Sequence, residues 1–272
     1  MSRPSARAVR DRAIGIFDSG IGGLTVLRAL NRLLPNEALI YLGDTGRTPY
    51  GSKSADVVRR YSFENSGFLV EKGIKLLVVA CNTSSAIALE QLQRDLEVPV
   101  VGVIEPGAQA AARATRKRKI GVIGTEATIR SGAYTRALRQ LRDDVEIYTR
   151  ACPLFVPLAE EGWTDNEVAA RAAAAYLTSL AQSGIDTLIL GCTHYPLLKG
   201  VIRTTMGNGV RLVDSGAATA AVVRDLLEER GLLRTARGAG VSFFVTDAPE
   251  RFMKVGARFL GAQVDSAVQL DR

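Results

Sequence analysis

Short continuous apolar runs alternate along this chain with stretches whose apolar positions recur every three or four residues. The runs lie near residues 13–18, 38–42, 74–80, 99–104, 119–124, 145–149, 186–191, 210–214 and 241–245, each of strand length. Unbroken hydrophobicity, rather than in–out alternation, is what a strand covered on both faces needs. Helical patterns fill most of the intervals. Leu24, Leu27, Leu30 and Leu34 share one stripe, and Pro35 stops that helix. Thr164-Asp165-Asn166-Glu167 reads as a capping box at the head of an Ala-rich helix over 165–182, with Gly184 just past its end. Strands alternating with helices predict βαβ units on parallel sheets.

The pattern also repeats. Leu76-Leu77-Val78-Val79-Ala80-Cys81-Asn82-Thr83 is an apolar run ending in a thiol, and Thr187-Leu188-Ile189-Leu190-Gly191-Cys192-Thr193-His194 is another, with the cysteines 111 positions apart. Ile14-Gly15-Ile16-Phe17-Asp18-Ser19-Gly20 has a counterpart at Ile120-Gly121-Val122-Ile123-Gly124-Thr125, offset by 106, and Val103–Gly107 has one at Leu212–Gly216, offset by 109. Landmarks in one order at nearly one offset indicate a duplicated domain, not a solenoid, whose repeats run roughly 20–50 residues. The expectation is an α/β fold of two pseudosymmetric parallel-sheet domains with the active site in the cleft between them. Residues 14–107 plus 216–272 would form the first domain and 108–215 the second, after a disordered basic tail over 1–13.

At 272 residues, 47% of them apolar, the chain can bury one large core or two modest ones. It has no run of about 20 apolar residues, so no membrane span is expected. The basic start lacks the apolar centre of a signal peptide. Three cysteines, odd in number and widely spaced, argue against a disulfide framework and for a reducing cytoplasmic setting. The net charge of +7 comes wholly from two places: Arg3, Arg7, Arg10 and Arg12 against Asp11, and the run Arg116-Lys117-Arg118-Lys119. A nucleic-acid surface spreads its basic residues over a face and interleaves aromatic or base-reading side chains. Here the second run sits where a helix should end, a favourable place for cations, so no nucleic-acid partner is expected.

Cys81 and Cys192 stand where a strand feeds a helix. Backbone N–H groups and the helix dipole there favour an anion and can lower a thiol pKa from about 8.5 toward neutrality. One free cysteine in such a place is most often a small buried hydrophobe. Two in matched contexts point to chemistry. Cys152 has no counterpart and reads as structural. His194, the one histidine of the chain, could hold Cys192 as thiolate or relay a proton. Asp18-Ser19-Gly20-Ile21-Gly22-Gly23 lacks the Gly-x-Gly-x-x-Gly spacing and the Walker lysine of a phosphate loop. It is either a helix-start cap or a loop that holds an ammonium through Asp18 and a carboxylate through N–H groups. Tyr41–Asp44 and Pro49–Ser52 form a second strand-exit loop, rich in turn residues. Asp18, Cys81, Cys192 and Asp214 all fall at carboxyl ends of strands, where open parallel sheets bind ligands. A zinc site would need long-range assembly of Cys81, Cys192 and His194, with no CxxC, HExxH or second histidine, and no metal is expected.

Taken together, Ile16-Phe17-Asp18-Ser19-Gly20-Ile21-Gly22-Gly23-Leu24, Thr48-Pro49-Tyr50-Gly51, Ala80-Cys81-Asn82-Thr83, Cys152-Pro153-Leu154-Phe155-Val156-Pro157-Leu158 with Glu160-Glu161-Gly162, and Gly191-Cys192-Thr193-His194-Tyr195-Pro196 resemble the motif set of the glutamate racemase family. The resemblance runs in order from about residue 14 to 260. It implies a cofactor-independent amino-acid racemase of two pseudosymmetric domains, homodimeric, whose D-glutamate feeds bacterial peptidoglycan synthesis. It also implies Cys81 and Cys192 as acid/base catalysts on opposite faces of the α-carbon. Asp18 would assist Cys81, and His194 with Glu160 would assist Cys192, with Glu161 the alternative carboxylate. Asp18, Ser19, Tyr50, Gly51, Asn82, Thr83, Thr193 and His194 would surround the substrate. The tail lies outside the resemblance.

The chemistry agrees. Inverting a stereocentre by deprotonation needs a base and an acid on opposite faces, exchanging roles in the reverse direction, and two like groups meet that need. Proton-transfer catalysis supplies roughly 10²–10⁴-fold, too little for so weak a carbon acid. The rest must come from N–H and hydroxyl donors on the α-carboxylate in a water-poor site. No lysine lies in the motifs to form a pyridoxal Schiff base. The competing readings are a racemase of another amino acid, such as aspartate, and a ligand-binding protein whose thiols are incidental.

Overall fold

The computed structural model describes residues 6–236 and 240–271. The chain opens with α1 (Ala6–Arg10), β1 (Ile14–Asp18), α2 (Leu24–Leu33), β2 (Leu39–Gly43), α3 (Ala55–Glu71), β3 (Leu76–Val79), α4 (Asn82–Asp95), β4 (Val100–Gly102) and α5 (Ile104–Ala114). It continues through β5 (Lys119–Gly124), α6 (Glu126–Ser131), α7 (Ala133–Leu141), β6 (Glu146–Ala151), α8 (Phe155–Glu161), α9 (Glu167–Gln182) and β7 (Thr187–Gly191). A 3-10 turn (Tyr195–Leu198), α10 (Lys199–Met206) and β8 (Arg211–Asp214) follow, then α11 (Ser215–Glu229), β9 (Val241–Val245), α12 (Pro249–Leu260) and β10 (Val268–Gln269).

Two sheets form, both wholly parallel. The first has the order β10-β9-β2-β1-β3-β4 and the second β6-β5-β7-β8. The segment β2-β1-β3-β4 and the second sheet follow one plan, with the first strand of each half between its second and third. This is the duplication read from the landmark offsets: β1 and β5 are equivalent strands, as are β3 and β7, each with a cysteine just past its end. The middle strands are covered on both faces: β1, β3 and β7 are buried at every residue. All nine apolar runs become strands.

The chain also differs from expectation in places. The tail expected to be disordered over 1–13 carries a helix at Ala6–Arg10. The backbone there is tied down by Lys75, a buried ammonium that needs acceptors. Lys75 donates to the carbonyls of Arg10 and Leu232, both at 2.8 Å, and pairs with Glu37 at 2.5 Å. Residues 1–5 lie outside the described residues. Helix α9 begins two residues later than the capping box implies. Asn166, not Thr164, is its N-cap and accepts from the Ala169 N–H at 3.0 Å. Asn caps at least as well as Thr, and Glu167 then enters the first turn, where it pairs with Arg171. Strand β10, two exposed residues, was not legible as an apolar run. Among the described residues, no helix is long and apolar enough to cross a membrane.

Candidate active site

The carboxyl ends of both sheets meet at one cleft. Phe17 pairs with Val79 at the end of β1 and β3, and Gly124 pairs with Gly191 at the end of β5 and β7. Each pair of strands therefore stops level, and the residues that follow emerge side by side. From the first half the cleft receives Ser19, Thr48–Gly51 and Cys81–Thr83; from the second, Thr125, Val156 and Cys192–His194. Its free volume is about 20 Å³, room for little more than one water.

Close approach of the halves depends on glycine. A Cβ on Gly22 would fall 2.3 Å from Thr193 Oγ1 and 2.4 Å from His194 Nδ1, and one on Gly51 would fall 2.7 Å from Thr125 Cβ. With those positions bare, hydrogen bonds cross the gap. Ala127 N–H donates to the Gly51 carbonyl at 3.0 Å. Thr25 Oγ1 donates to the Thr193 carbonyl at 3.0 Å. Thr83 Oγ1 lies 3.0 Å from Thr125 Oγ1 and 3.2 Å from Thr128 Oγ1.

The thiols occupy equivalent stations with different partners. Cys81 is the N-cap of α4, its sulfur accepting from the Ser84 N–H at 3.5 Å. Burial and the nearby Asp18 carboxylate push this thiol up to about 11, against the pull of the Ser84 N–H and the Ser19 hydroxyl. Asp18 is wholly buried and accepts from the Gly20 N–H at 3.0 Å, which closes a turn within the loop after β1; the N-cap of α2 itself is Gly23, without a side-chain cap. Burial raises its pKa, opposed by His194 and by the N–H groups of Gly23, Gly20 and Ser19.

Cys192 Sγ lies 3.8 Å from His194 Nδ1, and His194 Nε2 lies 3.1 Å from Glu160 Oε1. Burial works against a charged imidazole, but Cys192, Glu160 and Asp18 outweigh it and push His194 up to about 10. Phe259 meets the ring edge-on at 5.1 Å between centroids. Burial likewise opposes ionisation of Glu160, yet His194 and Arg251 hold its carboxyl below the usual range. Arg251 and Arg258 reach Glu160 from α12, the first at Oε2 (3.3 Å) and the second at the backbone carbonyl (3.0 Å). Of the adjacent carboxylates, Glu160 therefore faces His194; Glu161 borders a separate hollow with Gly162, Thr164, Leu197 and Arg258.

Most residues singled out from sequence converge here: Ser19, Tyr50, Gly51, Cys81, Asn82, Thr83, Cys192, Thr193 and His194 line the cleft, with Asp18 beneath and Glu160 behind His194. Tyr50 contributes in an unexpected way. Its hydroxyl donates to buried Asp44, which also binds Arg47 and Asn65. Asp214 does not join the site. It caps α11 through the Gly216 N–H at 2.9 Å and pairs with Lys199 at 2.7 Å. Cys152 is fully buried, its thiol pushed up to about 12 by burial. Thr125 and Val156 were missed. Thr125 was discoverable, since the 106-residue offset that relates β1 to β5 makes it the counterpart of Ser19. Val156 had no such signal. Among the described residues, no three His, Cys, Asp or Glu side chains are placed to share a metal ion.

A family model described as Asp/Glu/Hydantoin racemase matches residues 14–223, and the chain belongs to that family of isomerases. Its relatives there are more specific. The glutamate racemase of Geobacter metallireducens is 58% identical, over 95% of this chain and 96% of its own. Among solved structures, a glutamate racemase isoform of Bacillus anthracis superposes with a TM-score of 0.93 at 40% identity, covering 96% of this chain and 98% of that one. The glutamate racemase of Francisella tularensis, solved in complex with D-glutamate, gives 0.91 at 37% identity over 96% and 98%.

Proposed function

We propose that this protein interconverts L- and D-glutamate without a cofactor, by a 1,1-proton transfer between two thiols and the α-carbon. The observation that carries the reading is the convergence of Cys81 and Cys192, from equivalent strand ends of two halves, on one small cleft. The activity named for the relatives supports glutamate as substrate.

In one direction the Cys192 sulfur, as thiolate beside His194, takes the α-proton, and the Cys81 thiol delivers its proton to the opposite face. The Cα–H bond breaks, a new one forms, and the charge passes from one sulfur to the other. With its pKa at about 11, Cys81 enters turnover at neutral pH as the proton donor. In reverse, Asp18 takes the proton from Cys81 and His194 passes its own to the Cys192 sulfur; the Cys81 thiolate then removes the α-proton and the Cys192 thiol delivers a proton to the other face. Ser19, Thr83, Thr193 and the Asn82 amide supply donors for the α-carboxylate as charge builds on the α-carbon. The near absence of free volume excludes water at that moment. Residues 14–107 with 216–272, and 108–215, act as domains that part to admit substrate. The D-product would supply cell-wall peptidoglycan.

The test is proton NMR of L-glutamate with the protein in D₂O, without pyridoxal phosphate. Loss of the α-proton signal with appearance of D-glutamate is expected. Exchange with aspartate but not glutamate would keep the mechanism and change the substrate. No exchange with any amino acid, from folded and reduced protein, would overturn the reading.

A further inference from the structure

Asn82, the first residue of α4, lines the cleft and is buried, yet its Nδ2 has no hydrogen-bond partner among the described residues. An N–H donor withdrawn from water without a partner is costly. The other end of the amide is occupied. Tyr134, on α7 of the second half, donates from its hydroxyl to Asn82 Oδ1 at 2.7 Å, and both side chains are almost fully buried.

We propose that Tyr134 is a positioning residue: it holds the Asn82 amide by its oxygen and so turns the nitrogen toward the substrate carboxylate. The proposal rests on the racemase reading above. The path of the ring supports it. Tyr134 passes Gly191, the residue before Cys192, where an added Cβ would lie 2.9 Å from its Cε2. It also passes Gly107, where a Cβ would lie 3.4 Å from its hydroxyl. The ring is thus fixed by close backbone, and it reaches from one half to the other without lining the cleft itself.

The consequence is a coupling. With the halves together, the amide is locked in the orientation that offers two N–H donors to an anion. With the halves apart, Tyr134 no longer holds it, and the amide can turn its oxygen, which repels a carboxylate, toward the same place. Closing the cleft and presenting this donor become a single event.

The experiment is a double-mutant cycle in the full chain: Tyr134→Phe, Asn82→Ala and both together, with racemisation kinetics for glutamate. Tyr134→Phe is expected to lower kcat/KM about tenfold, the effect of one hydrogen bond of about 1.4 kcal/mol. If Tyr134 acts through Asn82, the double variant is no worse than Asn82→Ala alone. Additive losses, or an unchanged Tyr134→Phe, would overturn the proposal. A second measurement does not depend on turnover: in ¹⁵N NMR spectra of the wild-type protein, the Asn82 side-chain N–H signals should shift on addition of D-glutamate. Absence of that shift, while backbone signals of the site do move, would also overturn it. A wild-type protein that binds no glutamate and racemises none would instead sink the functional reading.

Discussion

Cys81 and Cys192 share a station in the repeat but not an environment: one faces a buried carboxylate and the other an imidazole held by Glu160. Replacing either by serine, whose hydroxyl is a far weaker acid, should lower kcat by about 10³ or more, while Cys152→Ala remains active. Steady-state rates beside thermal melting curves separate lost chemistry from lost fold. His194 makes a second prediction. Its pKa of about 10 lies above the ordinary 6.5, so the native state holds that proton more tightly than the unfolded chain does. Its contribution to stability is therefore full below about pH 6.5 and is lost as pH rises through about 10. Urea midpoints should fall across that window, and His194→Gln should flatten that part of the slope. At this scale the residues where motif and repeat overlapped, Asp18, Cys81, Cys192 and His194, are ones that the structure gathers at a single cleft. Sequence reading misplaced Asp214 because a carboxylate at a strand end serves equally well as a helix cap. It could not reach Tyr134, whose partner Asn82 is 52 positions away and lies on the other half.

Helices and strands were legible where their pattern was long. The stripe of Leu24, Leu27 and Leu30 is the buried face of α2, and Leu34 is its C-cap. What remained hidden were choices between neighbouring residues of similar chemistry, as with Asn166 and Thr164 at the head of α9. Short elements with few buried side chains, such as β10, leave no pattern to read. The element joint that matters most is the turn before α2. Gly22→Ala would drive a methyl group into Thr193 Oγ1 and His194 Nδ1, and neither atom belongs to a side chain free to swing aside. The expected result is a loss of about 10²-fold in kcat/KM, in keeping with the sensitivity of catalysis to misplacement of about 1 Å. Circular dichroism should remain unchanged. Near-native activity in Gly22→Ala would show that the halves need not approach this closely.

Across the whole molecule the cleft is nearly shut: Cys81 is 5% exposed and Cys192 6%, with about 20 Å³ between the walls. Glutamate cannot enter without parting the halves. Cys81 and Cys192 should therefore react slowly with an aromatic disulfide reagent in native protein, at a rate set by opening, and D-glutamate should slow them further. Cys152, at 0% exposure, should react only after unfolding. Rapid native labelling of all three thiols would contradict a closed cleft. The unequal surroundings of the two thiols carry a consequence of another kind. Mirror-image substrates have equal free energies in water, so at equilibrium neither enantiomer prevails, whatever the catalyst. The ratio kcat/KM must then be identical for the two antipodes in this protein and in every variant of it. Lopsidedness between Asp18 on one flank and His194 with Glu160 on the other can tilt only the bound intermediates. It surfaces as one enantiomer held tightly and turned over slowly, and its twin held loosely and turned over fast, in compensating proportion.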